Sequence, residues 1–570
     1  MFARRWCWPI LLSLAAACSS SPAPQAQPTQ AGQAAPPGAR LSSPQSPSGR
    51  AAAALPRPDF LRLIPADTPY LFAALAPVPA GYAAREYVSR LAAYEKVLPA
   101  VERLRRQRPA EMKRFPFLVR LQLALLAELG GKATPEKLAA IGLDPATTGA
   151  LYGLGMNPVV RIRLSNPARF AAALDHMAPR LQPVERAALG GQRYYVARDE
   201  AMSWIAAVAG RDLVVALIPP AQRTLWLPLV FGQRAPQRSL AGGGELDQLA
   251  ADYGLSPAGI GYADVAGMAA ALGATMPAPC RAELVQLATA IPRVAVGLTS
   301  ASGDEVRARS AVEMRADLAV ALTALRGEVP AAAPPGGGPP AFELSAGIDV
   351  SALVGWLGRS LGRVGARPFR CPSLAWVNDL ARTQASTLRQ AGGALAGVRG
   401  ASLSVRDVEK LASGDADIFI LFGSDRPGEV LGRLTRALGV PAPELSPGDP
   451  PVELASALGG SFGKVHVALA PRVLGLSLGA EGSELAGLLS VRAIDDPPLF
   501  GLHIDPQGLA PVIHLRAASG DPRIAALDPE LARDLADIEE SGVERYDQLS
   551  ITVRATPRGL DVELDGRYAR

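Results

Sequence analysis

At 570 residues the chain is too long for one ordinary core, and domains of roughly 150 residues would divide it into three or four packing units. Its 58 basic and 53 acidic residues leave a net charge of +5 spread along the whole length, which argues against the concentrated basic surface of a nucleic-acid binder. Apolar residues make up 49% but aromatics only 5%, so Ala, Leu and Val carry the core, while 56 Gly and 52 Pro supply frequent turns.

The N-terminus is built like an export signal. Arg4 and Arg5 precede an apolar run over 6–14, and Ala15, Ala16 and Ala17 lead into Cys18. That run is too short to span a bilayer, which needs about 20 residues, so residues 1–17 are expected to be a cleaved signal peptide. Leu14-Ala15-Ala16-Ala17-Cys18 resembles the lipobox of bacterial lipoproteins, with Ala15 where that pattern favours Leu. The resemblance implies a diacylglyceryl group on Cys18 and a membrane as the first partner. Several acyl chains anchor stably where one binds marginally. Ser19, in place of the Asp that retains such proteins at the inner membrane, implies the outer membrane. An ordinary secretory peptide and a twin-arginine signal are the alternatives.

Residues 18–58 are Pro-, Ala-, Gln- and Ser-rich, lack periodicity and have little to bury, so they read as a lipidated cysteine followed by a disordered tether. About 40 such residues have a root-mean-square span of about 35 Å, stretching towards about 120 Å if Pro stiffens them. A second low-complexity stretch, EVPAAAPPGGGPP over 328–340, divides the rest of the chain into 59–327 and 341–570. The densest basic stretch, Arg103, Arg105, Arg106, Arg108, Lys113 and Arg114, reads first as a solvated helix face and second as a contact for anionic head groups.

The two pieces share a pattern. PVVRIRLSNPARFAAAL from Pro158 and ADIFILFGSDRPGEVLGRL from Ala416 each give a strand, a Ser-Asn or Ser-Asp step and a helix. A glycine-punctuated gap comes next, then two strands and a helix: 204–209, 213–217 and 222–231 in the first piece, 464–470, 473–478 and 482–490 in the second. A second unit runs from a short strand into an acid and a helix, at GYADVAGMAAAL from Gly261, SAGIDVSALVGWL from Ser345 and GLHIDPQGLAPVI from Gly501, with IPADTPYLFAAL from Ile64 as a fourth example. Hairpins close it at VAVGLTSASGDEVRARSAVEM from Val294 and LSITVRATPRGLDVELDGRY from Leu549. The expectation is an α+β protein of two similar lobes, each an antiparallel sheet covered by helices, after the disordered tether. Residues 60–76 with the strand–helix–gap–strand–strand–helix unit resemble uncharacterised exported bacterial proteins, a likeness that imports no activity.

Motifs for chemistry are sparse. Gly459-Gly460-Ser461-Phe462-Gly463 and Gly475-Leu476-Ser477-Leu478-Gly479 fit the G-x-S-x-G nucleophile pattern, and Asp495, His503 and His514 come after the second in hydrolase order. Ser477, however, lies inside an alternating strand and not at a sharp strand end, so it reads as structural. His176, His466, His503 and His514 do not form a zinc spacing, and Gly463-Lys464 lacks the rest of a phosphate loop, so no metal and no cofactor is expected. His503 with Asp505 is the nearest approach to a metal pair. Asp264, Asp349 and Asp505 recur between strand and helix and read as helix caps. The apolar stretches 117–129 and 224–232 read as core, or as walls of an apolar groove.

With Cys7 in the signal and Cys18 acylated, Cys280 and Cys371 remain, and two cysteines in an oxidising compartment imply one disulfide. The sequence thus points to a non-catalytic cell-envelope lipoprotein, a binding or scaffolding module with an envelope protein as possible partner and no nucleic acid. A periplasmic carrier or chaperone for a lipid or other apolar ligand is the alternative, and a serine hydrolase a distant third.

Overall fold

The computed structural model describes residues 55–570 apart from 116, 182, 199–201, 274–275, 331–339, 407–416, 455–463, 480–481, 490–496, 507–529, 535–544 and 570, with backbone alone at 109, 113–114 and 384–391. Signal, Cys18 and nearly all of the expected tether lie outside the described residues. The strands, in chain order, are β1 (Tyr70–Ala74), β2 (Gly149–Leu154), β3 (Asn157–Arg163), β4 (Glu185–Leu189), β5 (Gln192–Arg198), β6 (Ser203–Ala209), β7 (Asp212–Ile218), β8 (Ile260–Asp264), β9 (Arg293–Ala301) and β10 (Glu305–Glu313). The second series comprises β11 (Phe342–Ala346), β12 (Val398–Val405), β13 (Ile418–Ser424), β14 (Val452–Leu454), β15 (Val465–Leu469), β16 (Val473–Leu478), β17 (Phe500–Ile504), β18 (Tyr546–Thr556) and β19 (Gly559–Tyr568).

Every pairing between these strands is antiparallel, and together they link the strands into one run. From one end the order is β4, β5, β6, β7, β3, β2, β1, β8, β9, β10. From the other it is β14, β15, β16, β13, β12, β11, β17, β18, β19. Apart from β4 the two orders correspond strand for strand. They meet where β10 pairs with β19: Glu305 lies opposite Arg567, Glu313 opposite Gly559, and Arg309 opposite Glu563 at the centre. The start of each strand therefore faces the end of the other. The mixed α+β class expected from the sequence is present.

Both ends of the sheet are covered on two faces. Helix Pro167–Met177 starts where Asn166 Oδ1 accepts from Arg169 N at 3.0 Å and Pro167 occupies the first turn, where its missing N–H costs nothing. It buries Phe170, Leu174 and Met177 against Tyr195, Leu213 and Val215. Helix Pro427–Leu438 has the same proline start, ends at Gly439 with φ 73°, and buries Val430 and Leu431 against Val465, Val467 and Leu474. Helices Arg223–Val230 and Gly482–Leu489 cover the opposite faces, so all seven residues of β7 are buried. Beyond the two strands expected after Pro167–Met177, the structure adds the hairpin β4–β5 in the glycine gap.

The central strands present two unlike faces, and helix Glu245–Tyr253 reaches the polar one, where Arg309 donates to Tyr253 O at 3.1 Å. Leu549, Ile551 and Val553 alternate with Ser550, Thr552 and Arg554, so one face is apolar and the other a polar strip. Val78, Tyr82 and Ala83 pack on the apolar face beside Val306 and Tyr568. Here Glu86 accepts from Tyr546 Oη at 2.6 Å and Tyr568 Oη at 2.9 Å and pairs with Arg90 at 2.7 Å. Burial works to raise the Glu86 carboxyl, but Arg90, Arg545 and the two phenols outweigh it and hold it below the usual carboxylate range.

The packed chain runs into the stretch 328–340 expected as a linker: Arg326 bridges Ile348, Glu328 N donates to Arg399 O at 2.8 Å, and Val329 is fully buried. Cys280 and Cys371 are joined, with sulfurs 2.10 Å apart, tying helix Ala278–Ala290 to the chain after helix Val350–Ala366.

Candidate functional site

A cleft of about 570 Å³ lies at the ends of β1, β2 and β8. Its rim comes from four separate stretches: 65–69, 153–155, 226–238 and the first turns of helix Val265–Gly273. Hydrogen bonds fix this rim. Ala66 N donates to Arg238 O at 3.0 Å and Asp264 N to Pro69 O at 2.7 Å. Thr68 Oγ1 accepts from Gly153 N at 3.0 Å and lies 2.8 Å from Gly153 O and 2.9 Å from Tyr70 O, the two carbonyls that share its proton. Tyr262 Oη adds a bond to Thr68 O at 3.3 Å, and burial pushes this phenol well above its ordinary range.

Glycine is required at the floor. A Cβ on Gly153 would stand 2.5 Å from Gly155 O and 2.8 Å from the Tyr70 ring, while Gly155 turns the chain at φ 57°. On one wall Trp226 Nε1 donates to Gln222 Oε1 at 3.0 Å, which also receives Asn157 Nδ2 at 3.0 Å, so the indole is held by a two-step chain from β3. Trp226, Leu229 and Leu154 give an apolar wall; Asp67 and Arg238 stand exposed at the mouth. Because Thr68 Oγ1 is saturated by main-chain partners, it acts as a strut. The arrangement is suited to holding a ligand edge between an aromatic wall and one charge of each sign.

The residues singled out from sequence are dispersed. Ser477 lies within β16 and is 0% exposed, in the shadow of helix Gly482–Leu489. His503 is on β17, separated from β16 by β11, β12 and β13, so four strand spacings, about 19 Å, lie between them. His514, Asp495 and Ser461 fall outside the described residues. The direct cross-strand neighbours of Ser477 are instead His466 on β15 and Phe419 on β13. Both Ser477 Oγ and His466 Nδ1 are buried without a hydrogen-bond partner among the described residues, so the pair is adjacent but not coupled.

His503 faces Glu343 on one side and Ser550 on the other, and burial raises the Glu343 carboxyl. His176 is exposed, with Nδ1 3.3 Å from Glu128. Among the described residues no group of three or more His, Cys, Asp or Glu gathers for a metal. Asp264 and Asp349 cap helices as expected, accepting from Gly267 N at 3.0 Å and Ala352 N at 2.8 Å; Asp505 N bonds Ala341 O at 2.8 Å. Of the basic stretch, Arg105 pairs with Glu102 at 2.7 Å on helix Leu98–Gln107, whereas Arg103, Arg106 and Arg108 are exposed. The stretches 117–129 and 224–232 form helices Phe117–Glu128 and Arg223–Val230, and no helix among the described residues is long and apolar enough to cross a membrane.

Sequence reasoning missed the cleft. Its one local signal was Pro65-Ala66-Asp67-Thr68-Pro69, noted for its place before β1 and not for the chemistry of Thr68. No protein-family model, curated protein or solved structure matches the chain.

Proposed function

We propose that the chain is an exported, lipid-anchored protein of the bacterial cell envelope, held through Cys18, whose two related lobes serve as a non-catalytic binding module. The cleft beside Trp226 carries this reading: it has the size of a small-ligand or peptide-end site, and hydrogen bonds from Gly153 N to Thr68 and from Trp226 to Gln222 fix its walls. The bond between Cys280 and Cys371 supports life in an oxidising compartment, and the matching strand orders support the two-lobe reading. The anchor is tested by Cys18→Ala, which is expected to lose the acyl mass and the membrane fraction together. Retention on the membrane after signal cleavage would refute it. The binding role is tested by native mass spectrometry of protein isolated from envelopes. Wild type should carry an adduct that Trp226→Ala loses, and bare protein in both spectra would count against a binding module. Leu154, Trp226 and Leu229 also suit the apolar end of a lipid, and a lipid adduct would make the module a carrier.

A further inference from the structure

Helices Val350–Ala366 and Ala375–Ala394 pack side by side between β11 and β12 as a helical hairpin. The first is amphipathic, with Leu353, Leu357, Leu361 and Val364 along one stripe, yet none of its residues is fully buried. On the second, Trp376 is 63% and Leu380 41% exposed, and one helical turn places them on the same face. Helix Ala278–Ala290, joined here through Cys280, exposes Val285 and Leu287. Apolar surface of this kind is uncommon away from an interaction site.

The same end of the hairpin is basic. Arg359, Arg363, Arg367 and Arg370 are exposed, and none forms an ion pair among the described residues. Glu283 comes close to the tip, but its two oxygens accept the main-chain N–H groups of Arg370 and Cys371 at 2.7 and 2.9 Å. The tip is also rigid: Asn378 bonds both the N–H and the carbonyl of Phe369, at 2.9 and 2.8 Å, and Cys371 is fastened to Cys280. Four exposed guanidinium groups without an ion pair among the described residues, on the same hairpin as an exposed indole, match one kind of surface, where anions lie in a sheet directly above hydrocarbon. Guanidinium binds phosphate through paired hydrogen bonds, and indole settles at the level of lipid head groups. Neither helix can cross a bilayer, so the contact is with its surface.

We propose that the tip of this hairpin docks on an anionic phospholipid surface, with Trp376 and Leu380 entering the interface and Arg359, Arg363, Arg367 and Arg370 contacting phosphates. The proposal stands on the folded body and is independent of acylation at Cys18. It is tested with the polypeptide 19–570, made without the signal and therefore without acyl groups, in flotation against vesicles of phosphatidylglycerol with phosphatidylcholine and of phosphatidylcholine alone. Binding is expected only to the anionic vesicles and should weaken with salt. The combined variant Arg363→Gln, Arg367→Gln, Arg370→Gln should lower partitioning about 100-fold, at roughly fivefold per arginine near the surface. Brominated lipid should quench wild-type fluorescence more than that of Trp376→Phe. If the triple variant fails to fold, salt dependence and the Trp376→Phe difference in quenching decide alone. Equal binding to neutral vesicles, unchanged binding of a folded triple variant, or quenching that does not depend on Trp376 would each overturn the proposal. So would self-association that Trp376→Ala abolishes in protein that does not bind vesicles, which would make the face a contact between copies of this chain.

Discussion

The two ends of the sheet solve one packing problem with different chemistry. Hairpin β6–β7 turns between Ala209 and Asp212, and β15–β16 between Ala470 and Val473. Counted from those turns, Asp212 corresponds to Val473, Val214 to Gly475 and Ala216 to Ser477; across the sheet, Arg161 lies opposite Val214 where Leu421 lies opposite Gly475. Under helix Arg223–Val230 the space is filled by an ion pair: Arg161, 1% exposed, reaches Asp212 at 3.1 Å and Val230 O at 2.5 Å. Under helix Gly482–Leu489 it is filled by Leu421, Leu485 and Leu489 closing on a glycine. The buried charges are therefore one way to seat a helix on a sheet, and the apolar counterpart argues that they are structural.

The largest effect should come from the covalent tie. Cys280→Ser with Cys371→Ser, opening a loop of 91 residues, is expected to cost up to about 4.6 kcal/mol, less any native strain, read by urea denaturation. Protease cleavage within 331–339 should give fragments that separate on a denaturing gel only after reduction. Separation without reductant, with thiols blocked, would dissolve the tie.

The ion pair comes next. Arg161→Met leaves Asp212 with Arg163 alone, at 2.9 Å, and Val230 O without its donor, and should cost about 1–3 kcal/mol, whereas Arg161→Leu with Asp212→Val, copied from Leu421 and Val473, should recover part of it. If the single variant lost under about 1 kcal/mol, the contrast between the two ends would be empty.

Gly475→Val, copied from Val214, reverses the exchange. Its Cβ would stand 2.8 Å from Leu485 Cδ1 and 3.0 Å from Leu489 Cδ2, so a loss of about 1–3 kcal/mol is expected in thermal or chemical melts. An unchanged melt would show that helix Gly482–Leu489 is loosely seated.

The smallest effect belongs to Ser477. Its hydroxyl is buried without a partner among the described residues, so Ser477→Ala, copied from Ala216, should stay within about 1 kcal/mol of wild type or stabilise slightly. A fluorophosphonate probe should leave the folded protein unlabelled; labelling lost in Ser477→Ala would restore the hydrolase.

Legibility followed local chemistry. The β3 and β13 units were readable because Asn166, Pro167 and Pro427 punctuate a strand before an amphipathic helix. The cysteine pair was readable from parity and compartment. By contrast β2, GALYGL, and β12, VRGASLSV, are rich in small residues and show little alternation in sequence, although their partners bury them. Hairpin β4–β5 announced itself only by Gly190 and Gly191, at φ 53° and 79°. The cleft was invisible because its walls are far apart in the chain and its strut is a threonine. Exposure of the 350–394 hairpin was hidden too, since its leucine stripe has the period of a core helix.

The seam between β10 and β19 has a consequence for partner choice. Strands with unsatisfied edges invite pairing with any similar edge, including one on another molecule. Here the facing charges discriminate: Glu305 lies opposite Arg567, Arg307 meets Asp565 at 3.2 Å between side chains, and Arg309 lies opposite Glu563 and pairs with Asp561 beside it. Set β10 against a second β10 about the same centre and Arg309 faces Arg309. Set β19 against β19 and Glu563 faces Glu563, with Asp561 on Asp565. Like charges directly opposite are destabilising, so each edge rejects its own kind and accepts the other. Because both edges belong to one polypeptide, the permitted match is also the one at the highest effective concentration, and the chain closes on itself before it can recruit a neighbour.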